Sequence, residues 1–376
     1  MTTVSPRRTT VFVVLTLALV ALVIAAGAAI AVTLRAYRYY RAHQTNYVGD
    51  SFIMDDPVVG YVQRPGIHNR YTAPPAYDIY TDDLGARVDK QGMQAPRKVD
   101  LLAVGDSFTW GHGVQDESTY VRRLARAKHL TASNVALASY GLTTSYLSFR
   151  KFSFLEPTIV IFGFIEDDVN RAFQPCAPSL SPYCRAVPFV DFDSQGDPFI
   201  HPPEYRSREY YEYMQDVILD HSFGWKDVLW ELKRDRLILS GKDGNGINQQ
   251  HGRFINDPAS RQRGVQFLLD SLVKDVRDRR ATLIVVYIPV MTTVTPLPPE
   301  VASVAPTWVD NQHVFLVDTT SVFDTFIRDN GSDVLKAGGV DGHPSEVAHQ
   351  MIADQIAPVI DKILARPDDI RKSIAP

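Results

Sequence analysis

The segment Gly105-Asp-Ser107 places a hydroxyl directly after the largely apolar run 99–104 and directly before a helical pattern. Ligands bind at the carboxyl end of a parallel strand, and a serine there faces the positive end of the next helix. Gly105 permits the tight turn, and the backbone N–H of Ser107 can point at the oxygen that becomes negative when an ester is attacked. The spacing predicts Ser107 as a nucleophile, with a turn and a helix-capping serine as the alternative.

A serine hydroxyl is a poor nucleophile without an adjacent base, so this prediction requires a histidine delivered by another strand end. Of the ten histidines, His343 is best placed, in a turn-rich loop just before the last helical pattern. Asp341, two residues upstream, can hold the imidazole from the side away from Ser107. His112 and His349 are the competitors, one on the nucleophile's own element and the other inside a helix. The alternative for the His343 loop is a turn that only leads into a helix.

Short apolar runs alternate with helical patterns over residues 99–365. This alternation predicts an α/β domain with a mostly parallel sheet of about five strands between two layers of helices. The predicted strands are 99–104, 134–137, 158–162, 281–288 and 314–317, and the predicted helices include 119–130, 260–279 and 345–365. Loops far apart in sequence must then meet at one edge of the sheet for Ser107 and His343 to react.

Two stretches depart from this alternation. Residues 35–98 are rich in Pro, Gly, Tyr and Asp and are predicted to be a connector of extended segments and turns, with at most a short hairpin. Residues 171–257 are predicted to be an insertion beside the site, whose aromatic side chains either bind a sugar or acyl group or pack a small core. Residues 366–376 are predicted to be a C-terminal tail.

The N-terminal 34 residues form the clearest break in composition. After a short tail, 1–10, residues 11–34 carry no charge, and a helix of that length can span a hydrocarbon core of about 30 Å. A signal peptide has a shorter apolar stretch, which favours a retained transmembrane helix, although small residues over 25–31 leave cleavage as an alternative. Arginines on both sides do not settle the orientation.

The composition excludes several classes of function. A formal net charge of −4 with 22% charged residues contains no basic stripe, so nucleic acid is not expected as a partner. No zinc spacing, phosphate loop or dinucleotide glycine pattern is present, and we expect no cofactor and no metal. Glu166, Asp167 and Asp168 could suggest a hard-cation site, but without a matching cluster we predict structural hydrogen bonds by Asp168.

The two cysteines, Cys176 and Cys184, lie in one proline-rich stretch at a spacing that a disulfide could close. A disulfide would fit an oxidising compartment, and two free thiols in a loop are the alternative.

The combination of motifs resembles the SGNH/GDSL hydrolases, in particular the membrane-anchored bacterial type. The resemblance covers about residues 99–365 and rests on Gly105-Asp-Ser107, residues 113–120, Gly141, Glu166-Asp-Asp168, and Asp341 with His343, with the lead-in Asp83-Leu-Gly-Ala-Arg87 upstream. It implies a flavodoxin-like three-layer fold, Ser107 as nucleophile and source of one oxyanion-hole N–H, and Gly141 as the second N–H donor. An ordinary turn is the alternative for Gly141.

One departure from the family concerns the oxyanion hole. The family usually has a Gly-x-Asn-Asp motif whose Asn side chain donates to the oxyanion, and this chain has Asp167 at the Asn position. An ionised carboxylate cannot donate. Either Asp167 is protonated, or Asn170 takes its place, or the hole works with two amides at a cost of about 2.7–4 kcal/mol. The spacing of Asp341 and His343 is also one residue shorter than in many members.

The resemblance implies a serine esterase or acyl hydrolase that uses a Ser-His-Asp triad and an acyl-enzyme. The expected substrates are O-acyl groups of cell-envelope glycans or lipids, with the domain held outside the cytoplasm by a single membrane helix. The alternatives are an O-acyltransferase with the same triad, supplied by an integral membrane acyltransferase, and a glycan-binding protein on a retired hydrolase scaffold.

Overall fold

The computed structural model describes residues 6–44, 47–49, 53–92, 94–177, 185–203, 228–229, 232, 257–308, 313–339 and 342–366. The chain forms two compact units, residues 1–46 with 209–243 and residues 47–208 with 244–376. The strands are β1 (Tyr47–Gly49), β2 (Ile53–Asp56), β3 (Gly60–Gln63), β4 (His68–Tyr71), β5 (Tyr77–Thr81), β6 (Arg87–Val88), β7 (Leu101–Val104), β8 (Ala132–Asn134), β9 (Ile159–Phe164), β10 (Cys176–Ala177), β11 (Arg185–Ala186), β12 (Phe189–Phe192), β13 (Pro198–His201), β14 (Thr282–Tyr287) and β15 (Val314–Asp318). The helices are α1 (Pro6–Gln44), α2 (Ser107–Trp110), α3 (Tyr120–Lys128), α4 (Leu142–Phe152), α5 (Glu166–Arg171), α6 (Pro258–Asp278), α7 (Pro299–Val304), α8 (Thr320–Asn330) and α9 (Glu346–Leu364).

Helix α1 is long, apolar and exposed. Its segment Val13–Tyr37 is 25 residues long and by length and composition can cross a membrane. The helix continues on both sides of the uncharged stretch 11–34, because the flanking arginine- and tyrosine-containing residues are also compatible with helix.

Five parallel strands form one half of a nine-stranded mixed sheet. Their spatial order is β8, β7, β9, β14 and β15, which confirms the predicted α/β class and the predicted parallel strands. β8 begins two residues earlier than predicted, because the Asp100 carboxylate accepts hydrogen bonds from the N–H and hydroxyl of Thr131 and fixes that segment beside β7. The predicted strand residues Val135 and Leu137 still donate to the carbonyls of Ala103 and Gly105.

Helices cover both faces of these parallel strands. Alternate strand residues belong to two separate buried clusters, one packed with α4 and α6 and the other with α3, α8 and α9. All six residues of β9 and all six of β14 are buried, as expected of a parallel sheet enclosed by helices. The structure therefore has the predicted three layers, and it holds the carboxyl ends of the strands at one rigid edge.

The connector contributes strands to the central sheet, which the sequence pattern did not predict. Strands β1, β4, β5 and β6 pair antiparallel in that order and join the parallel half through β8, while β2 and β3 form a separate hairpin. Residues 47–88 thus extend the central sheet. The periodicity gave no sign of this, because the strands are two to five residues long and several are only half buried.

The described part of the predicted insertion contains two small ladders, β10 with β11 and β12 with β13. The aromatic and amphipathic segments of the predicted insertion at 210–213 and 225–239 lie mostly outside the described residues. Cys184 and the side chain of Cys176 also lie outside them, so the disulfide stays a prediction. The division of the chain into domains likewise stays a prediction.

Arg87 joins the connector to the segment that follows Ser107. Its Nη1 donates to the carbonyls of Trp110 (2.7 Å) and Gly111 (2.5 Å), and its Nη2 donates to the carbonyl of Val114 (2.5 Å). The guanidinium is fully buried and lies 4.3 Å from the ring centroid of Trp110. The last carbonyls of a helix have no partner within it, and Arg87 supplies donors to them.

We predict that Arg87→Ala lowers the free energy of unfolding by about 3 kcal/mol or more, because three buried carbonyls lose their donors. Arg87→Lys should recover only part of this loss, since an ammonium cannot reproduce the fork of the guanidinium. Urea unfolding followed by tryptophan fluorescence measures the change. The exposed Arg328 gives a matched control, with an expected effect of Arg328→Ala below about 0.5 kcal/mol. Equal midpoints for Arg87→Ala and the parent would contradict the assignment.

Candidate active site

The turn after β7 presents Ser107 at the edge of the sheet. Gly105 has φ +152°, and a Cβ there would lie 2.4 Å from the carbonyl oxygen of Gly163, so no side chain fits. Asp106 caps the short helix α2 by accepting a hydrogen bond of 2.9 Å from the N–H of Phe108. Ser107 is the first residue of α2 and retains 8% of its surface exposed. The turn therefore holds the hydroxyl in a fixed, nearly buried position.

The structure brings Ser107 and His343 into hydrogen-bond contact. Their Oγ and Nε2 atoms are 2.8 Å apart, although 236 positions separate the two residues in sequence. The loop that carries His343 is held at both ends, since Ala337 donates to the His343 carbonyl and Ser345 donates to the Leu335 carbonyl, each at 2.8 Å. The 2.8 Å between Ser107 Oγ and His343 Nε2 suits proton transfer from a serine to an imidazole. Asp341 lies outside the described residues, so its place behind the imidazole stays a prediction.

Two backbone N–H groups are available for an oxyanion. Among the residues that the structure describes, neither the N–H of Ser107 nor the N–H of Gly141 has a protein acceptor. Gly141 lies at the start of α4, and a Cβ on it would be 2.5 Å from the Cβ of Arg171. Gly141 is thus a glycine because α5 packs directly against it. Its role as the second donor remains a prediction.

Asp167 and Asn170 direct their side chains to arginines. The Oδ2 of Asp167 is 2.8 Å from Nη2 of Arg171, and the Asp167 side chain is half exposed. The side-chain oxygen Oδ1 of Asn170 accepts a hydrogen bond from Arg261 at 2.9 Å. The side-chain nitrogen Nδ2 of Asn170 is 3.5 Å from Asp167 Oδ1. A carboxylate paired with a guanidinium has no proton to donate. These contacts favour an oxyanion hole of two amides, and the roles considered for Asp167 and Asn170 stay predictions.

Two buried carboxylates and one arginine lie behind the nucleophile. Asp168 Oδ1 is 3.0 Å and Asp106 Oδ2 is 4.0 Å from Nη1 of Arg171, and Asp168 Oδ2 accepts from the N–H of Ile165 at 3.0 Å. Burial raises the pKa of Asp106, and Arg171 opposes this shift. Burial and the neighbouring charge of Asp106 together hold the pKa of Asp168 well above its ordinary value. Burial disfavours the charge on Arg171, but Asp168 and Asp106 outweigh it and raise its pKa.

His112 lies against the candidate base. Its ring centroid is 4.5 Å from that of His343, and its Nδ1 is 2.9 Å from the hydroxyl of Tyr77 in β5. Tyr71 in β4 contacts His112 edge to face at 5.2 Å. The β4–β5 turn also reaches the His343 loop, because a Cβ built on Gly338 would be 2.8 Å from Pro75. The connector therefore forms one wall of the site.

Sequence reasoning missed this wall. The available signal was compositional, namely the tyrosines and prolines that crowd residues 71–80, and nothing in their spacing linked them to a histidine.

His349, the other competitor, is buried in α9 and faces inward. Its Nδ1 accepts from the N–H of Tyr120 at 3.2 Å, so the neutral ring carries its proton on Nε2. Among the described residues, Nε2 has no hydrogen-bond partner. Burial, together with the charges of Arg87 and Arg123, lowers the pKa of His349 to about 3. Its contacts are those of a packing residue.

The burial of His349 predicts that the free energy of unfolding depends on pH. In the unfolded chain His349 titrates near its ordinary pKa of 6.5, so between that value and about pH 3 only the unfolded state binds the proton. The free energy of unfolding should then fall as the pH falls, with a contribution from His349 of up to about 1.4 kcal/mol per pH unit. His349→Gln should flatten the curve between pH 6.5 and 4.5 in urea titrations. The exposed His129, changed to Asn, is the matched control, and parallel curves for parent and His349→Gln would contradict the prediction.

Comparisons with protein-family models and with curated proteins each find no match. Among solved structures, the chain is similar to a protein from Desulfitobacterium hafniense described as lipolytic and of the G-D-S-L family, with 14% identity over 70% of this chain and 99% of that one and a TM-score of 0.34. It is also similar to a family two carbohydrate esterase from Clostridium thermocellum in complex with cellohexaose (14% identity, 72% and 66% covered, TM-score 0.34). A third is a catalytic mutant of an acetylxylan esterase from Geobacillus stearothermophilus (13% identity, 72% and 95% covered, TM-score 0.36).

These similarities extend over about 70% of the chain. At 13–14% identity and TM-scores of 0.34–0.36 they carry no information about substrate or mechanism. The chain is thus similar to SGNH/GDSL esterases of known structure, and its chemistry has to be inferred from its own side chains.

Proposed function

We propose that this protein is a serine esterase that cleaves acyl esters through a covalent acyl-enzyme. The observation that carries the proposal is the 2.8 Å contact between Ser107 Oγ and His343 Nε2 at the carboxyl edge of the parallel strands. A hydroxyl becomes a competent nucleophile only when a base takes its proton during attack. His343 is held in that position by its loop, and Ser107 by the turn after β7.

In the first half-reaction Ser107 attacks the ester carbonyl while His343 accepts the hydroxyl proton. The carbonyl oxygen becomes negative and is stabilised by the N–H groups of Ser107 and Gly141. The intermediate collapses when the alcohol leaves with the proton from His343. The acyl group then remains on Ser107, and Asp341 is proposed to hold the imidazole and stabilise its charged form.

In the second half-reaction an acceptor hydroxyl attacks the acyl-enzyme, with His343 again taking the proton. Water as acceptor gives hydrolysis, and an alcohol as acceptor gives acyl transfer by the same residues. The ring of His112 lies 4.5 Å from that of His343, Tyr71 contacts His112 in turn, and both side chains are partly exposed. We propose that an acceptor alcohol binds against these two rings. This arrangement favours O-acyl transfer, with an integral membrane acyltransferase as partner, as the second candidate function.

The proposed substrates are O-acyl groups of cell-envelope glycans or lipids. Support comes from the exposed apolar helix α1, whose segment Val13–Tyr37 is long enough to cross a membrane, and from the resemblance of the motifs to membrane-anchored hydrolases. We propose a single-pass membrane protein whose hydrolase-like domain, residues 99–365, lies outside the cytoplasm. The glycan-binding alternative is weakened by the Ser107–His343 contact, because binding alone does not require a paired base.

We predict that Ser107→Ala and His343→Asn each lower kcat for hydrolysis of 4-nitrophenyl acetate by about a thousandfold or more, because the nucleophile and base act as a unit. Release of 4-nitrophenolate measures the rate, and a fluorophosphonate probe should label Ser107 in the parent but not in His343→Asn. Ser303→Ala and His129→Asn alter exposed residues of the same types and should keep the parent rate. Turnover by Ser107→Ala equal to that of the parent would remove the proposed function.

The membrane assignment predicts the behaviour of α1. The full chain should stay in the membrane pellet after alkaline carbonate extraction, and protease added to spheroplasts should digest residues 47–376. Leu19→Arg combined with Ile24→Arg should release the protein, because each central charge costs about 2.5–3.5 kcal/mol of insertion free energy. Leu19→Ala combined with Ile24→Ala is the matched control. Protection of residues 47–376 from external protease would place them in the cytoplasm and would contradict this part of the proposal.

A further inference from the structure

Arg171 fixes the orientation of the peptide that contains the Gly141 N–H. Its Nη1 lies 3.3 Å from the carbonyl oxygen of Tyr140 and donates to it. The Tyr140–Gly141 peptide is trans and planar, so its N–H points away from the carbonyl and therefore away from Arg171. The guanidinium thus determines which way this N–H faces.

The same guanidinium reaches the turn that carries the nucleophile. Nη1 is 4.0 Å from Oδ2 of Asp106, whose other oxygen caps the helix that starts at Ser107. Apart from this ion pair, Asp106 Oδ2 has no hydrogen-bond partner among the described residues and is completely buried. One side chain, 15% exposed, therefore contacts the peptide before Gly141 and the carboxylate before Ser107.

Arg171 is itself held firmly. Asp168 and Asp167 pair with Nη1 and Nη2 at 3.0 and 2.8 Å, and Asp168 also accepts the Ile165 N–H at the start of α5. Glycine at position 141 allows Arg171 to lie this close, since a Cβ there would meet the Arg171 Cβ at 2.5 Å. Asp167 and Asp168 thus hold the Arg171 guanidinium from two sides of its planar group.

We propose that Arg171 is a positioning residue for acyl transfer, which sets the Gly141 N–H and the Ser107 turn relative to each other so that both amides meet the same oxyanion. The inference rests on the proposed function of Ser107 and His343. It gives Asp167 a role in place of the family's asparagine: the carboxylate holds Arg171, and Arg171 orients the amides that remain.

The experiment uses the full chain in detergent with 4-nitrophenyl acetate. Arg171→Met should lower kcat about a hundredfold and Arg171→Lys about tenfold, each with KM within about twofold, because a misplaced amide weakens the transition state and not the ground state. The inhibition constant of phenylboronic acid, which forms a tetrahedral adduct on the serine, should rise in step with the loss of kcat/KM. Asp167→Ala removes one of the carboxylates that hold the guanidinium, so it should lower kcat and boronate affinity together, by a smaller factor than Arg171→Lys because the Asp168 contact remains.

Arg150→Lys changes an exposed arginine on the neighbouring helix α4 and is the matched control for Arg171→Lys. Arg171→Lys with the parent's kcat and boronate affinity would overturn the inference. A loss of kcat without a change in boronate affinity would also overturn it, since the amides would then still be aligned. Should Arg171→Met not fold, kcat and boronate affinity of Arg171→Lys still decide the question. Full activity of Ser107→Ala would instead remove the proposed function, which is a separate result.

Discussion

The candidate chemistry depends on one hydrogen bond between residues 236 positions apart, Ser107 and His343. Neither local segment can form it alone, because β7 and the loop before α9 have to end at the same edge of the sheet. The buried strands between them and the helices on both faces fix that edge. A serine without this contact would be an ordinary hydroxyl in a turn.

Ionisable side chains are buried next to the turn that carries Ser107, where a core with only a structural role would contain apolar side chains. Asp106 and Asp168 are buried beside the largely buried Arg171, so two buried carboxylates share its guanidinium with the half-exposed Asp167. The raised pKa of Asp168 reflects the free energy that is needed to bury its charge next to that of Asp106. Buried ion pairs often stabilise a fold less than apolar side chains of the same volume would, so their presence directly under the site is more readily explained by orientation than by stability.

Much of the parallel half could be predicted from sequence, because continuous apolar runs and helical spacing are local signals. The pairing of Ser107 with His343 followed from chemistry, since a serine nucleophile needs a base and His343 lies in a turn-rich loop before the last helix with Asp341 close upstream. The connector strands could not be predicted, because they are short and are held by pairing with one another and, through β6, with β8. The roles of Arg87 and Arg171 were not predicted, since the backbone carbonyls of Trp110 and Tyr140 to which they donate are marked by no sequence pattern.

The connector follows α1 directly and also supplies Arg87, Tyr77 and the turn beside His343. Where the chain is cut therefore decides what is released. A cleavage at residues 45–46 would separate the central sheet and the candidate site from α1, whereas a nick in the 72–76 turn would break the chain within the wall of that site. Helix α1 and the wall are neighbours in sequence, so the position of one cleavage in this stretch decides whether the candidate site is separated from α1 intact or is disrupted.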